Sequence, residues 1–436
     1  MDSVLWFCIS FSLAIFLWFK FKSKNGASNK LLPPGPPAWP LIGNIFDVGM
    51  MPYRNLHKLG DKYGPVLWLK LGMSNTLVIQ SAKAAEELFK KHDLPFSDRR
   101  VVDSLTACDF DKGSMIFGRY GEYWRMTRKL CSSELFVHKK ISASAPSRQS
   151  WIDIMIQCIK KDANGETIQF DKYLILMTFN LISNYVISRD IMYSKSEKGN
   201  EFIEAMNNFM KWNGIPNLVD PFPFLKWVDP QGIRSNTQKY LSKLINIVDG
   251  FVKERVHEKL LGKEKEPKDL LDALLEHQGK GEEEELSEKN VTIIVLEMFL
   301  AGTETTSSTI QWGMSELLRN PNSLQKLKDE LDQVIGRDPN SWDDPLSFKP
   351  DRFINSKIDS KGQNFELIPF GSGRRSCIGM FLGEKMVSLT LARLVQTFDW
   401  KLPDNVPPES MDMRERMGLS LHRLVPLTAI PIERKF

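Results

Sequence analysis

One ten-residue stretch constrains this chain more than any other: Phe370-Gly-Ser-Gly-Arg-Arg-Ser-Cys-Ile-Gly379. Its glycines let backbone approach a planar ligand closely. Arg375 can pair with an acidic group on such a ligand. Downstream, Val387, Leu391, Leu394 and Phe398 recur at i, i+4, i+7 and i+11, which predicts a helix. A cysteine just before a helix N-terminus feels unpaired N–H groups and the positive end of the dipole, which favours thiolate. A lone cysteine in a Gly-rich turn is ordinarily a buried structural residue. The spacing FxxGxRxCxG around Cys377 distinguishes this one, and a thiolate there is an electron-rich iron ligand.

A second signal lies upstream. A long helix is predicted over 287–319, roughly 50 Å at 1.5 Å per residue. Asn320-Pro321 ends it, because a residue before proline avoids the α region. Its middle reads Ala301-Gly302-Thr303-Glu304-Thr305-Thr306. A mid-helix glycine costs about 1 kcal/mol relative to alanine, and three threonines add to that. A local rule broken in mid-helix points to function or to close packing. On the functional reading, Gly302 admits a flat ligand, while Glu304 and Thr305 offer a proton source and an alcohol relay. On the packing reading the stretch is a small-residue patch with an exposed Glu. Threonine hydroxyls there can bond the i−4 carbonyl.

The rest of the chain reads as mainly α with a minor β region. Residues 63–79 alternate and predict a hairpin. Helical patterns dominate 82–400, with loops at 216–230 and 279–285; the acidic run 282–285 is a solvated loop edge. Short β character returns at 424–432, and no repeat is visible.

The N-terminus sets the compartment. Residues 4–19 are apolar apart from serines, preceded by Asp2 and followed by Lys20, Lys22, Lys24 and Lys30. A cleaved signal peptide carries its cations first and a small-residue cleavage site afterwards. These flanks predict instead an uncleaved membrane anchor over 1–24 with the body cytosolic. Residues 25–40 hold Pro-Pro-Gly-Pro-Pro-Ala-Trp-Pro40, a stiff non-helical hinge. The body is then 41–436. Its 58 Lys and Arg against 54 Asp and Glu exclude the basic excess of a nucleic-acid binder. Five cysteines without a CxxC pair, and six histidines without HExxH, exclude a disulfide framework and a zinc site.

Together these motifs resemble the cytochrome P450 heme-thiolate monooxygenases of the membrane-anchored microsomal plant type. The likeness covers nearly the whole chain: anchor, hinge, Trp124-Arg-Met-Thr-Arg128, Ala301–Thr306, Phe348-Lys-Pro-Asp-Arg-Phe353 and the cysteine loop. The texture of 302–318 and 364–379 is similar to the clade that oxidises monoterpenols, iridoids and other small lipophiles. The resemblance implies heme b with Cys377 as axial iron ligand. Trp124, Arg128 and Arg375 would hold its propionates, and Phe370 would tune the thiolate. Ala301 and Gly379 would complete the cofactor's surroundings. Glu304 and Thr305 would deliver protons during oxygen activation. It also implies an endoplasmic reticulum membrane location with contacts to its lipids. An NADPH-cytochrome P450 reductase would supply electrons from NADPH, with O2 and a small lipophilic substrate as reactants. Residues 103–117, 206–215, 298–301 and 417–421 would line the substrate pocket. A heme-thiolate isomerase or dehydratase would not need Glu304 and Thr305.

Three departures stand out. Ile378 replaces a frequent proline, and Gly383 sits where alanine is common. More seriously, the family's Glu-x-x-Arg helix, which engages the arginine here numbered Arg352, has no counterpart. Glu122–Arg125 lies in the Trp124 helix, and Glu316–Arg319 ends the long helix. The chain passes from Gly336 directly to Arg337, phrases that lie far apart in the family. Roughly 60 residues are absent at this junction against a family length of about 500. An uncompensated buried arginine costs ~3–5 kcal/mol. The alternative expectation is therefore a shortened, heme-poor product of such a gene, without catalysis.

Overall fold

The computed structural model of this 436-residue chain describes residues 32–192, 197–263, 268–277, 286–333, 350 and 357–434. The expected anchor, residues 279–285, the Gly336–Arg337 junction and Arg352 lie outside the described residues. Among the described residues no helix is long and apolar enough to cross a membrane. The chain divides into two compact units, Met1–Asp93 with Pro216–Gln231, and Leu94–Ile215 with Gly232–Phe436.

In the first unit, α1 (Pro52–Tyr63) precedes the hairpin of β1 (Val66–Leu71) and β2 (Ser74–Ile79), and α2 (Ala82–Lys91) follows. The hairpin was legible because Leu67 and Leu69 alternate into the core at period 2. It reverses between Leu71 and Ser74, where Gly72 takes φ +57°. The proline-rich stretch is more than a spacer. The Pro34 carbonyl accepts the Trp68 N–H at 2.9 Å, and Asn44 donates to the Pro36 and Pro37 carbonyls at 3.2 and 3.3 Å. A Cβ on Gly35 would stand 2.1 Å from the Trp68 carbonyl oxygen, so only glycine permits this approach. The predicted loop at 216–230 closes on the hairpin through the Met73 N–H to Pro221 carbonyl bond, 2.9 Å.

The second unit is helical. Its main helices are α3 (Glu122–Glu134), α4 (Ala145–Ala163), α5 (Phe170–Ile187), α6 (Glu197–Asn213), α7 (Ile233–Leu260), α8 (Leu270–His277), α9 (Glu288–Arg319), α10 (Pro321–Gln333) and α11 (Met380–Thr397). The long predicted helix is α9. Ser287 caps it, its Oγ accepting the Asn290 N–H at 3.1 Å. Asn320 ends it and Pro321 opens α10, where the missing proline N–H costs nothing. From Val291 to Leu300 only Asn-free, nearly all-apolar turns occur, and every one of these side chains is buried. A helix apolar on all sides belongs in a core, and α9 packs against α5, α7 and α11.

Two short strands, β3 (Ile168–Gln169) and β4 (Phe398–Lys401), flank β7 (Thr428–Glu433) in an antiparallel sheet ordered β3-β7-β4. Between them in sequence, β5 (Glu415–Met417) pairs with β6 (Leu421–Arg423). Phe398, expected on the last turn of a helix, instead begins β4. Phe398 and Trp400 are buried while Asp399 and Lys401 are exposed, and this alternation takes over where α11 ends. The two Glu-x-x-Arg matches fall where expected. Glu122 and Arg125 pair at 3.5 Å on the exposed side of α3, and Glu316 accepts from the Asn320 side chain at 3.4 Å.

Candidate active site

The cysteine loop is shaped by its own backbone. The Cys377 N–H donates to the Phe370 carbonyl at 2.8 Å, and Gly371 and Gly373 turn the chain with φ +70° and +68°. Ser372 Oγ ties the loop to the Gly362 carbonyl at 2.8 Å. Gly379 is the N-cap of α11, so Cys377 precedes the helix as expected. Its thiol opens on a cavity of about 460 Å3 whose walls include Ala301, Gly302, Thr305, Phe370, Arg375 and Gly379. Of the described cysteines, Cys108, Cys131 and Cys158 do not reach this cavity. Cys131 is fully buried, which pushes its thiol up to about 12.

The thiolate expectation needs correcting for the protein alone. Cys377 is accessible through the cavity, yet its sulfur is closely surrounded by protein, and this desolvation raises the thiol pKa. The Gly379 N–H and the nearby Arg128 charge act in the opposite direction and are outweighed. Desolvation penalises a bare thiolate, whereas a bound metal cation takes the place of the proton.

The arginines expected around a heme converge on one ring. Arg375 Cζ lies 4.7 Å and Arg128 Cζ 5.8 Å from the centre of the Trp124 ring. Trp124 is buried and donates its Nε1–H to the Met115 carbonyl at 2.9 Å. Arg128 donates to the carbonyl of Ser376, next to Cys377, and so also holds the loop. Arg375 donates from Nε to the Ser97 carbonyl at 2.7 Å and from Nη2 to the Gly118 carbonyl at 2.9 Å. Its Nη1 is buried without a hydrogen-bond partner among the described residues. Burial, and then the neighbouring Arg99 charge, lower the Arg375 pKa. A half-buried cation with an idle donor beside further cations is what an acidic-edged planar group would satisfy. Cys377 and Arg375 lining the same cavity, the arginine with a donor to spare, therefore fit heme.

On α9 the adjacent residues part company. Thr305 is exposed on the cavity, its hydroxyl donating to the Ala301 carbonyl at 2.6 Å, and Thr309 bonds Thr305 likewise at 2.8 Å. Glu304 points elsewhere. Its Oε1 meets His422 Nε2 at 2.5 Å, with Ser420 Oγ 2.9 Å from the same nitrogen. Glu304 and His422 line a second, polar cavity of about 350 Å3 with Gln311 and Lys211. Helix geometry was the available signal, since i and i+1 do not share a face. Gly302 serves both readings made of it. It lines the cavity, and a Cβ there would stand 2.7 Å from Ile182 Cδ1 of α5.

Of the segments expected to line a pocket, Met115, Ile116, Met298 and Ala301 reach the first cavity. Asn207, Asn208, Met210, Lys211, Met417 and Gly418 reach the second. One residue escaped the sequence reading. Glu297, 1% exposed, accepts hydrogen bonds from Ser114 Oγ and from the N–H groups of Met115 (2.8 Å) and Ile116 (3.3 Å). Burial raises its pKa to about 7. Its one signal was a single carboxylate inside an otherwise apolar helical run.

Comparison with known proteins agrees with this geometry. The "Cytochrome P450" family model matches residues 33–338 and 334–426. An iridoid oxidase of Catharanthus roseus is 42% identical over 98% of this chain and 96% of its own length. Geraniol 8-hydroxylase of the same plant is 34% identical, covering 97% of each chain. A geranylhydroquinone 3''-hydroxylase of Arnebia euchroma is 33% identical, covering 95% of each. With the cysteine loop and the long helix lining one cavity, Arg375 stacked on Trp124, and the family model matched along nearly the whole chain, the chain belongs to the cytochrome P450 family.

Proposed function

We propose that this chain is a heme-thiolate monooxygenase that hydroxylates a small lipophilic, terpenoid-like substrate. The observation that carries the reading is that Cys377 and Arg375, the latter with one buried and unpartnered guanidinium nitrogen, line one largely apolar cavity. The printed activities of the iridoid oxidase and geraniol 8-hydroxylase relatives support the substrate class. Heme, when bound, supplies the oxidising chemistry that places one atom of O2 in the substrate and releases the other as water. The chain's own residues do the rest. Cys377 Sγ would ligate the iron, and Arg375, backed by Trp124 and Arg128, would hold the acidic edge. Phe370 and Gly379 line the cavity beside Cys377, and Ala301 lines it from α9. Thr305 lines the cavity with its hydroxyl bonded to the Ala301 carbonyl, and Glu304 pairs with His422 at the second cavity. In this reading the two together manage proton supply. Electrons come from an NADPH-dependent flavoprotein reductase, and residues 1–24 anchor the chain in the endoplasmic reticulum membrane ahead of the hinge at 25–40.

A second reading concerns length. The family model matches in two stretches that overlap at 334–338, and the alignment with the iridoid oxidase runs over 498 positions, longer than this 436-residue chain. This supports a stretch present in relatives and missing at Gly336–Arg337; the second reading adds that heme retention is weakened as a result. The reduced carbon-monoxide difference spectrum of the expressed chain separates the readings. A heme-thiolate Soret band with NADPH-dependent oxidation of geraniol supports the first. Protein that purifies folded but without heme supports the second and sinks the first.

A further inference from the structure

Glu297 ties a cavity wall to the long helix. Residues 114–118 carry no helix or strand, yet they are held from several sides. Tyr123 Oη donates to the Gly113 carbonyl at 2.8 Å, Trp124 Nε1 to the Met115 carbonyl at 2.9 Å, and Arg375 Nη2 to the Gly118 carbonyl at 2.9 Å. Those bonds take up carbonyls. The N–H groups of Met115 and Ile116 both turn to Glu297, as does the Ser114 hydroxyl, whose oxygen in turn accepts the Phe117 N–H at 2.6 Å. Three donors converging on one side chain are met in full by the ionised carboxylate, which only accepts, whereas the protonated acid and an amide each bring a donor of their own. Glutamine has one acceptor oxygen and would set its NH2 against a donor.

The tie matters because of what each end carries. Met115 and Ile116 face the cavity from the loop, and Met298 and Ala301 face it from α9, beginning one residue after Glu297. The length of the Glu297 side chain therefore sets how far the loop wall stands from the helix wall. We propose that Glu297 is a positioning residue: by fixing Met115 and Ile116 relative to α9 it sets the cavity's width, and so which lipophilic shapes fit. The specificity role rests on the monooxygenase reading above; the tie itself does not.

The test uses the full chain, Glu297→Gln and, as the milder variant, Ser114→Ala. Amide hydrogen exchange reads the tie, and equilibrium dialysis with geraniol and farnesol reads the cavity without depending on turnover. In Glu297→Gln the Met115 and Ile116 amides should exchange at least about tenfold faster, while amides 291–295 keep their wild-type rates. The ratio of geraniol to farnesol Kd should change by at least about threefold. Unchanged Met115 and Ile116 amides overturn the tie, and faster amides with an unchanged ratio overturn the specificity role. If amides 291–295 also quicken, the substitution has loosened the fold, and Ser114→Ala decides by the same two criteria. A wild-type chain that binds neither alcohol sinks the monooxygenase reading and the specificity role together, while the amide rates still judge the tie.

Discussion

The guanidinium of Arg375 stands over Trp124 with Cζ 4.7 Å from the ring centre, and two of its nitrogens are already committed to the Ser97 and Gly118 carbonyls. The side chain is thus held before any ligand arrives, with Nη1 left over. Lysine has no planar fork to satisfy the same carbonyls and still face a carboxylate. Arg375→Lys should lower heme affinity by about tenfold or more, in line with the loss of one charge-assisted hydrogen bond. Transfer of heme to apomyoglobin measures it, and an unchanged transfer rate would remove Arg375 from the cofactor's surroundings.

Gly302 and Ile182 form a close packing pair between α9 and α5. A methyl at 302 would meet Ile182 Cδ1 and Cγ1 at 2.7 Å. Gly302→Ala should therefore destabilise the chain by ~1–3 kcal/mol in spite of its better helix propensity. Paired with Ile182→Ala, it should cost less than the sum of the single changes by ~0.5–3 kcal/mol. Urea unfolding of the four chains gives the coupling, and strict additivity would show that the helices accommodate the methyl without Ile182.

Glu297 predicts a pH dependence with a definite sign. Burial raises its carboxyl from the usual 4.5 to about 7. The folded state therefore holds this proton more tightly than the unfolded one, and the associated stability is complete below pH 4.5 and lost as pH rises through 7. The loss amounts to at most about 3 kcal/mol. Glu297→Gln should flatten the stability curve over that window. Urea midpoints from pH 4.5 to pH 8 test it; parallel curves for the two chains would place the carboxyl's titration elsewhere.

Gly383 offers the opposite of Gly302. A Cβ there would lie 3.6 Å from the Phe370 ring, an ordinary contact, and the residue sits within α11. Gly383→Ala should stabilise the chain by about 0.5–1 kcal/mol through helix propensity. A melting temperature that falls would mean that the ring cannot accept the methyl.

Much of this molecule is legible one turn at a time. Ser287, Asn320 and Pro321 mark the ends of α9 because caps and proline sterics act within a few residues. The hairpin β1–β2 follows from its alternation, and the cysteine loop from glycines spaced around Cys377. Glu304 shows where such reading stops. Its place beside Thr305 was clear, but its partner His422 is 118 residues away and follows only from how β6 lies against α9.

By itself, then, the sequence determined the β1–β2 hairpin, the ends of α9 and the identity of the cysteine, arginine and threonine that bear on the cavity, since each depends on local hydrogen bonding, spacing and side-chain chemistry. Tertiary structure alone decided that Ile182 fills the space over Gly302, that desolvation raises the Cys377 thiol pKa, and that Glu297 holds Met115 and Ile116. Those outcomes turn on which distant segment occupies a given volume and excludes water from it. Burial, unlike periodicity, belongs to the packed chain.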